Sequence, residues 1–210
     1  MIKPTISRED ACKMLTEAYP GLLNDPMIVF GLRGYFDVAG QNKRGIYDDC
    51  IGIITPLPEE FRVYNANTDP SVSRKNIAVL QPGVYKYAQG LHGRHHLDLT
   101  KLEDQKILHT LQSTGKDYPK DLGRPLPYHA LIQSGPVTVL RDGATEPETI
   151  RDPDRYPMIN IHRGGRNTTS SEGCQTIFPD YWSEFFWNNV VPLMEKYKVA
   201  LISYALLEKK

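Results

Sequence analysis

Residues 158–178 read Met-Ile-Asn-Ile-His-Arg-Gly-Gly-Arg-Asn-Thr-Thr-Ser-Ser-Glu-Gly-Cys-Gln-Thr-Ile-Phe. The apolar, β-branched residues before His162 predict a short strand that ends at this histidine. A loop rich in glycine, serine and threonine follows, and it returns to Cys174 just before a second apolar pair. The segment therefore predicts that a thiol lies close to an imidazole.

This pairing suits nucleophilic catalysis, because the thiolate of a cysteine is the nucleophile and an unperturbed thiol, with a pKa of about 8.5, is mostly protonated at neutral pH. His162 would take the proton of Cys174 and later return it to a leaving amine. Gly165 and Gly173 lack a Cβ, so the main chain there can approach a substrate closely. Backbone amides around Cys174 would then face the oxyanion that forms when the thiolate attacks a carbonyl.

A structural interpretation of the same pair makes His162 a hydrogen-bonded histidine and Cys174 a small buried side chain. The eleven residues between them, 163–173, are all polar or glycine. Core cysteines rarely have such neighbours, so the loop favours the catalytic interpretation. The group that orients His162 is left open among Asn160, Ser171 and a backbone carbonyl.

The pattern of His162, a loop and then Ser171-Glu172-Gly173-Cys174 resembles the catalytic domain of the L,D-transpeptidases. These YkuD-like cysteine enzymes act on peptidoglycan stem peptides, and their signature is a strand-ending histidine followed by a loop and Ser/Thr-X-Gly-Cys. The resemblance implies that Cys174 is the acylated nucleophile and His162 its base. It also implies that Gly173 and the Cys174 amide shape the oxyanion site, and that Ser171 supports the turn.

The chain departs from the family at Glu172, where a histidine is usual, and at Gln175-Thr176, where a hydrophobic residue and Arg or Asn are usual. Its short loop is similar to that of compact members used as secreted antibacterial effectors, and the whole chain resembles phage and prophage proteins. The resemblance implies acyl transfer through a Cys174 thioester, with a D-amino acid leaving. An amine acceptor would give L,D-transpeptidation or exchange, and water would give L,D-carboxypeptidase or endopeptidase activity.

Four further side chains are predicted to border the substrate groove: Tyr47, His129, Arg163 and Arg166. Tyr47 lies in a polar stretch before a predicted strand, where a solvated turn is the alternative. His129 alternates with Leu131, so its side chain can face either the groove or the core.

Residues 91–98, Leu-His-Gly-Arg-His-His-Leu-Asp, form a second concentration of histidine. Because imidazole and carboxylate groups suit zinc, one alternative function is a zinc-dependent peptidoglycan peptidase that uses His92, His95, His96 or His129. No His-Glu-x-x-His pattern completes such a site, so we expect no metal and no cofactor. The other alternative is a non-catalytic phage or wall-binding structural protein.

The composition predicts one globular domain over residues 1–210, with 1–26 as a helical N-terminal extension. The 25 basic and 25 acidic residues balance, which gives no electrostatic reason to expect nucleic acid as a partner. Neither an apolar signal core nor a run of about 18 apolar residues occurs. The sequence thus predicts synthesis in the cytoplasm without a transmembrane segment. Action at the periplasmic cell wall would follow phage lysis, virion delivery or dedicated secretion, and an immunity or delivery partner is left open.

Many short strands and few helices predict a mainly β, α+β fold, and the resemblance implies a YkuD-like β-sandwich with a groove and with added N- and C-terminal helices. A helix is expected after Ser7, another over 101–112, and a third from Asp180 with a kink at Pro192. Cys12 and Cys50 are expected to be packing residues. The predicted strands are 27–33, 50–55, 61–67, 76–80, 84–87, 128–133, 137–140 and 199–206, with Pro82-Gly83 marking a hairpin or a broken strand and Ser134-Gly135-Pro136 marking a hairpin.

Overall fold

A computed structural model of the protein describes residues 1–36, 42–119, 121–151 and 158–209. Within these ranges the helices are α1 (Arg8–Ala18), α2 (Leu102–Thr114), and a C-terminal helix built from α3 (Pro179–Trp182), a π-helical segment (Ser183–Val190) and α4 (Val191–Lys196). The strands are β1 (Ile28–Arg33), β2 (Asp49–Ile54), β3 (Arg62–Asn67), β4 (Ala78–Leu80), β5 (Gly83–His92), β6 (Tyr128–Gln133), β7 (Val137–Arg141), β8 (Glu148–Ile150), β9 (Ile161–Arg163), β10 (Gln175–Ile177) and β11 (Ile202–Glu208). No helix in these ranges has the length and apolar character needed to cross a membrane.

Eight of the strands form a closed barrel in the order β1-β11-β5-β6-β9-β10-β3-β2. β1 runs parallel to β11 and β9 runs parallel to β10, whereas the other neighbours in the barrel are antiparallel. β4, β7 and β8 make a separate three-stranded sheet. The predicted α+β, mainly β class is therefore confirmed. In place of the expected sandwich, the larger sheet closes on itself, because each of its eight strands has a neighbour on both sides.

The hairpin predicted at 134–136 is not formed, and of the two alternatives at Pro82-Gly83 the interruption is observed rather than the hairpin, because the chain changes sheet at both turns. β4 and β7 pair with each other in the small sheet, while β5 and β6 pair with each other in the barrel. The break at Pro82 follows from chemistry, since proline has no N–H to donate to a ladder. Turn residues at 134–136 likewise mark the bend between two sheets. A turn signal fixes where a strand ends and leaves its partner undetermined.

The core fills the barrel and extends beneath the C-terminal helix. Trp182, Phe185, Phe186 and Val190 are buried there, as the apolar stripe in the sequence predicts. Tyr87 of β5 and Tyr204 of β11 are fully buried, with ring centroids 5.6 Å apart. Phe185 of the helix contacts Tyr64 of β3, with ring centroids 5.5 Å apart, so an aromatic contact joins the helix to the barrel.

Helix α1 covers another part of the barrel. Its side chains Ala11 and Leu15 are buried with Phe30 of β1 in a second apolar cluster. Cys50 is buried in this cluster and Cys12 packs against it, so both have the packing role that was predicted. The Ser7 side chain accepts a hydrogen bond from the Asp10 amide and caps the helix.

The disruption predicted at Pro192 takes the form of a π-helical segment rather than a break in the helix. Pro192 has no N–H, and its ring would collide with the carbonyl of residue 188 in a regular α-helix. The eight residues Ser183–Val190 widen into a π-helix before it, and the Val191 amide donates to the Phe186 carbonyl, five residues earlier. The wider turn lets the helix continue past the proline as α4.

A buried polar network fastens β1, β2, β3 and β4 together. Arg33 is only 4% exposed, and its Nη2 donates to the carbonyls of Thr68 at 2.7 Å and Leu80 at 3.0 Å. Its Nε lies 3.3 Å from a carboxylate oxygen of Asp69. Buried Asp49 accepts hydrogen bonds from the amide and the hydroxyl of Thr68. Since an unpaired charge is costly inside a protein, each member of the network stabilises the others.

We expect Arg33→Met to lower the free energy of unfolding by about 3–5 kcal/mol, because it leaves the buried Asp69 carboxylate without its cation. Urea unfolding followed by circular dichroism measures the change. Arg74→Met is the control: Arg74 pairs with Glu172 at 2.9 Å, but both side chains are more than half exposed. That substitution should cost less than about 1 kcal/mol. Equal losses in the two variants would contradict the role assigned to the network.

Candidate active site

His162 and Cys174 are brought together by the parallel pair β9 and β10. Gln175 lies opposite Ile161 in this pair, and the Gln175 amide donates to the Asn160 carbonyl at 2.8 Å. Cys174 therefore lies beside Asn160, and Asn160 is two residues before His162 in the chain. Because side chains alternate along a strand, residues 160 and 162 face the same side of the sheet. The closure of the barrel thus places the thiol and the imidazole on one face.

A cavity of about 400 Å³ opens over this face. Its walls include Cys174, His162, Asn160 and Met158 from the β9–β10 region, and residues 91–96 from the end of β5 and the turn after it. A second cavity of about 580 Å³ adjoins it and continues toward residues 117–128. The two cavities share His92, Gly93, His96, His162 and Ser170, so the imidazole of His162 stands between them.

The ring of His162 is oriented by a backbone carbonyl, one of the three candidates left open by the sequence. Its Nδ1 lies 2.8 Å from the Arg163 carbonyl oxygen and 3.0 Å from the Tyr128 hydroxyl. The Tyr128 hydroxyl also donates to the same carbonyl at 3.2 Å. A carbonyl can only accept, so Nδ1 carries the proton and Nε2 keeps a free electron pair. His162 is therefore in the tautomer that a general base requires.

Ser171 and Gly173 shape the turn that presents Cys174. The Ser171 hydroxyl donates to the Cys174 carbonyl at 2.6 Å and accepts from the Gly173 amide at 3.0 Å. Gly173 has a φ of +133°, and a Cβ there would lie 2.7 Å from the Ala78 carbonyl oxygen. Only glycine fits this position. The Gly173 amide is already used by Ser171, so of the backbone groups predicted to shape the oxyanion site the Cys174 amide is the one not bonded to Ser171.

Burial keeps both reactive groups neutral at pH 7. It lowers the pKa of His162 to about 4, and it raises the pKa of Cys174 to about 11. A hydrogen bond from the Asn160 amide, 3.3 Å from Sγ, opposes the shift at the thiol, and the nearby charge of Glu172 adds to it. The resting pair is a thiol and an imidazole rather than a thiolate and an imidazolium. Proton transfer must then accompany the attack on a substrate.

Two of the predicted groove residues lie at or next to the cavities. Arg163 lines the larger cavity, and its guanidinium lies 5.1 Å from the centre of the Tyr128 ring. Tyr47 does not line either cavity, but its hydroxyl donates to the Gly165 carbonyl at 2.6 Å. A Cβ at Gly164 would collide with the same hydroxyl. Tyr47 therefore holds the loop that follows His162.

The other two predicted groove residues, Arg166 and His129, have partners other than the cavity walls around Cys174. Arg166 forms an ion pair with Asp180 at the start of α3. His129 follows Tyr128 on β6, and alternation along the strand turns it to the opposite side, where it contacts Trp187 and the Asp117 carboxylate. Neither Arg166 nor His129 lines either cavity. The described geometry gives these two groove positions no support, because sequence alternation and loop polarity do not fix the orientation of a side chain.

The histidines of residues 91–98 do not form a metal site in the described part of the chain. His92 stacks on His162, with ring centroids 4.0 Å apart, whereas the His95 and His96 rings, 4.1 Å apart, are tilted by 51°. Across residues 1–36, 42–119, 121–151 and 158–209, no three His, Cys, Asp or Glu side chains converge to hold an ion. The described geometry gives the zinc alternative no support.

Sequence reasoning missed the roles of Tyr128 and His92. The two residues are opposite each other across the β5–β6 pair, and β6 in turn pairs with β9, which carries His162. Three adjacent strands thus contribute three neighbouring rings. No local signal marks this cluster, because β6 and β9 are far apart in the chain and their pairing is set by closure of the barrel.

Comparison with known proteins gives no match from which a function could be inferred. No protein-family model matches the chain, and neither a curated protein nor a solved structure does. The functional argument therefore depends on the site itself and on the short sequence pattern around His162 and Cys174.

We expect Gly173→Ala to lower the free energy of unfolding by about 1–3 kcal/mol, because the new Cβ meets the Ala78 carbonyl at a backbone conformation that alanine avoids. Gly143→Ala is the matched control, since Gly143 also has a positive φ, of +88°, but nothing lies within 4 Å of its Cβ position. The control should lose less than Gly173→Ala does, about 1–2 kcal/mol, because it has the positive φ without the crowding. Chemical denaturation of both variants gives the comparison, and an equal loss would show that crowding at Gly173 is unimportant.

The neutral thiol predicts a particular pH profile of alkylation. Because the pKa of Cys174 is raised to about 11, the iodoacetamide rate at this residue should rise about tenfold per pH unit from pH 7 to pH 10. Peptide mass spectrometry separates Cys174 from Cys12 and Cys50, and Cys174→Ser supplies the background. A plateau between pH 6 and pH 8 would instead reveal a resting thiolate–imidazolium pair.

Proposed function

We propose that the protein is a cysteine-dependent acyltransferase that acts on peptidoglycan stem peptides through a thioester on Cys174. One observation carries the proposal: the parallel β9–β10 pair places Cys174 and a correctly protonated His162 on the wall of one cavity. The stem peptide as substrate comes from the resemblance of His162 and Ser171-Glu172-Gly173-Cys174 to the YkuD-like L,D-transpeptidases.

In the first half of the proposed reaction, the sulfur of Cys174 attacks the carbonyl carbon of an L,D-peptide bond while its proton moves to Nε2 of His162. The imidazolium is stabilised by the Arg163 carbonyl, which accepts the hydrogen bond from Nδ1. The Cys174 amide would donate to the oxyanion. Collapse of the tetrahedral intermediate breaks the C–N bond, and His162 returns the proton to the departing D-amino acid.

In the second half, an acceptor attacks the thioester and His162 takes its proton. An amine acceptor gives a new peptide bond, as in transpeptidation or exchange, and water gives a carboxylic acid. The thiol of Cys174 leaves with the proton from His162, which restores the neutral pair. Burial favours this sequence, because the enzyme begins and ends each half with both groups uncharged.

The volumes of the two cavities and the partial exposure of Cys174 also support a peptide substrate. The cavity over Cys174 has a volume of about 400 Å³, and the adjoining one adds about 580 Å³, which suits extended peptide ends. Cys174 keeps part of its surface exposed to the cavity. Under this proposal the protein reaches the cell wall by phage lysis, virion delivery or dedicated secretion, and an immunity or delivery protein would be its partner.

Mass spectrometry of purified tetrapeptide and pentapeptide muropeptides tests the proposal. After incubation with the protein, we expect loss of the terminal D-alanine, or its exchange when another D-amino acid is added. Cys174→Ala should reduce the rate on the order of 10³-fold or more, because no other group can form the thioester. Cys12→Ala, which removes a cysteine outside the site, should retain the activity.

The remaining outcomes separate the alternatives. Cleavage that survives Cys174→Ala and is lost with a chelator would replace the proposal with a zinc-dependent peptidase. Unchanged muropeptides, together with a Cys174 that iodoacetamide cannot reach, would replace it with a non-catalytic wall-binding or virion protein.

A further inference from the structure

The ring of His92 lies flat against the ring of His162. Their centroids are 4.0 Å apart and their planes differ by 17°. His92 ends β5, directly opposite Tyr128, and it lines both cavities. No step of the proposed reaction uses this second imidazole, although it stacks on the face of the base.

A chain of hydrogen bonds fixes the protonation of His92. The side-chain oxygen of Asn160 accepts from the Gln133 amide at 3.1 Å, so the amide NH₂ of Asn160 is directed elsewhere. That NH₂ lies 3.2 Å from Nδ1 of His92. Because an NH₂ group can only donate, Nδ1 of His92 accepts and the ring carries its proton on Nε2. Burial acts in the same direction, since it lowers the pKa of His92 to about 3.

We propose that His92 is a positioning residue: its neutral ring, held by Asn160, fixes the plane of the His162 ring and keeps that ring uncharged until the substrate thioester is being formed. The inference rests on the proposed function, which makes His162 the base. Two parallel rings in contact exclude water from the face of His162, and they oppose the gain of a proton by either ring in the resting site.

Several titratable or charged groups surround His162, and their contributions must be separated. Tyr128 contributes a hydroxyl from β6, and Arg163 contributes a carbonyl and a cation from the neighbouring position. The titratable and charged groups that line the two cavities beside His162 are His92 from β5, Arg94, His95 and His96 from the turn after β5, Asp117, Tyr118, Asp121 and Arg124 from the segment before β6, Tyr128 from β6, Arg163 from β9, and Glu172 and Cys174 from the loop before β10. Among the described residues only His92 stacks on the ring, so replacing it isolates the effect of the stack.

Two substitutions separate the stacked ring of His92 from its role as hydrogen-bond acceptor for Asn160. His92→Phe keeps a flat ring on His162 but cannot accept from Asn160, whereas His92→Gln keeps an acceptor for Asn160 and removes the ring. His109→Ala is the control, because His109 is an exposed histidine on α2. Nitrogen-15 NMR of histidine-labelled protein reports the tautomer and the titration midpoint of His162 without any substrate. The ring signals of His162 are identified by their absence from the spectrum of a His162→Gln sample.

In the wild-type protein we expect His162 to show a protonated Nδ1 and to titrate near pH 4. His92→Gln should raise the midpoint by about 1 pH unit and mix the tautomers, because water reaches the ring. His92→Phe keeps the stacked ring and loses only the Asn160 contact, so it should shift the midpoint by less than His92→Gln, and His109→Ala should leave midpoint and tautomer unchanged. Equal shifts in the Phe and Gln variants, or no shift in either, would overturn the inference. Thermal unfolding confirms that each variant is folded, and a failed muropeptide assay with the expected NMR shifts would reject the proposed function alone.

Discussion

The site depends on one constraint, the parallel pairing of two three-residue strands, β9 and β10. Parallel neighbours usually need a crossover of a dozen or more residues, often a helix. Here a loop without a helix joins them, and the rest of the molecule holds that loop in place. The Tyr47 hydroxyl binds the Gly165 carbonyl, and the Ser71 hydroxyl binds both the Ser171 amide and the Thr169 hydroxyl. These contacts make up for the regular structure that the connection lacks.

The same pairing explains the electrostatics of the site. Closing the barrel moves His162 and Cys174 from solvent to a face covered by β5 and β6, where a charge on either group is disfavoured. Hydrogen bonds then act on particular protonation states: the Arg163 carbonyl selects a proton on Nδ1 of His162, and Asn160 selects one on Nε2 of His92. In the resting site His92 and His162 are therefore neutral imidazoles and Cys174 is a thiol, so no thiolate–imidazolium ion pair is present before the substrate binds.

Local sequence signals predicted much of the framework correctly. The helices near residues 8, 102 and 179 and most strands begin and end within a few residues of their expected positions, because capping, periodicity and turn residues act over short distances. The turn around Gly173 is of the same kind, since its positive φ excludes other residues. Strand partners were predicted poorly. β4 and β7 pair with each other in a second sheet outside the barrel, and no hairpin forms at 82–83 or at 134–136.

By itself the sequence determined the mainly β class, the helical stripe that became core, and the candidate pair His162 and Cys174, since composition, periodicity and residue chemistry are local properties. Only the tertiary structure decided the closed barrel, the placement of Tyr128 and His92 beside His162, and the packing of His129 against Trp187. The physical reason is that a strand's sequence fixes its two faces, whereas its neighbours depend on the burial and hydrogen bonding of the whole sheet.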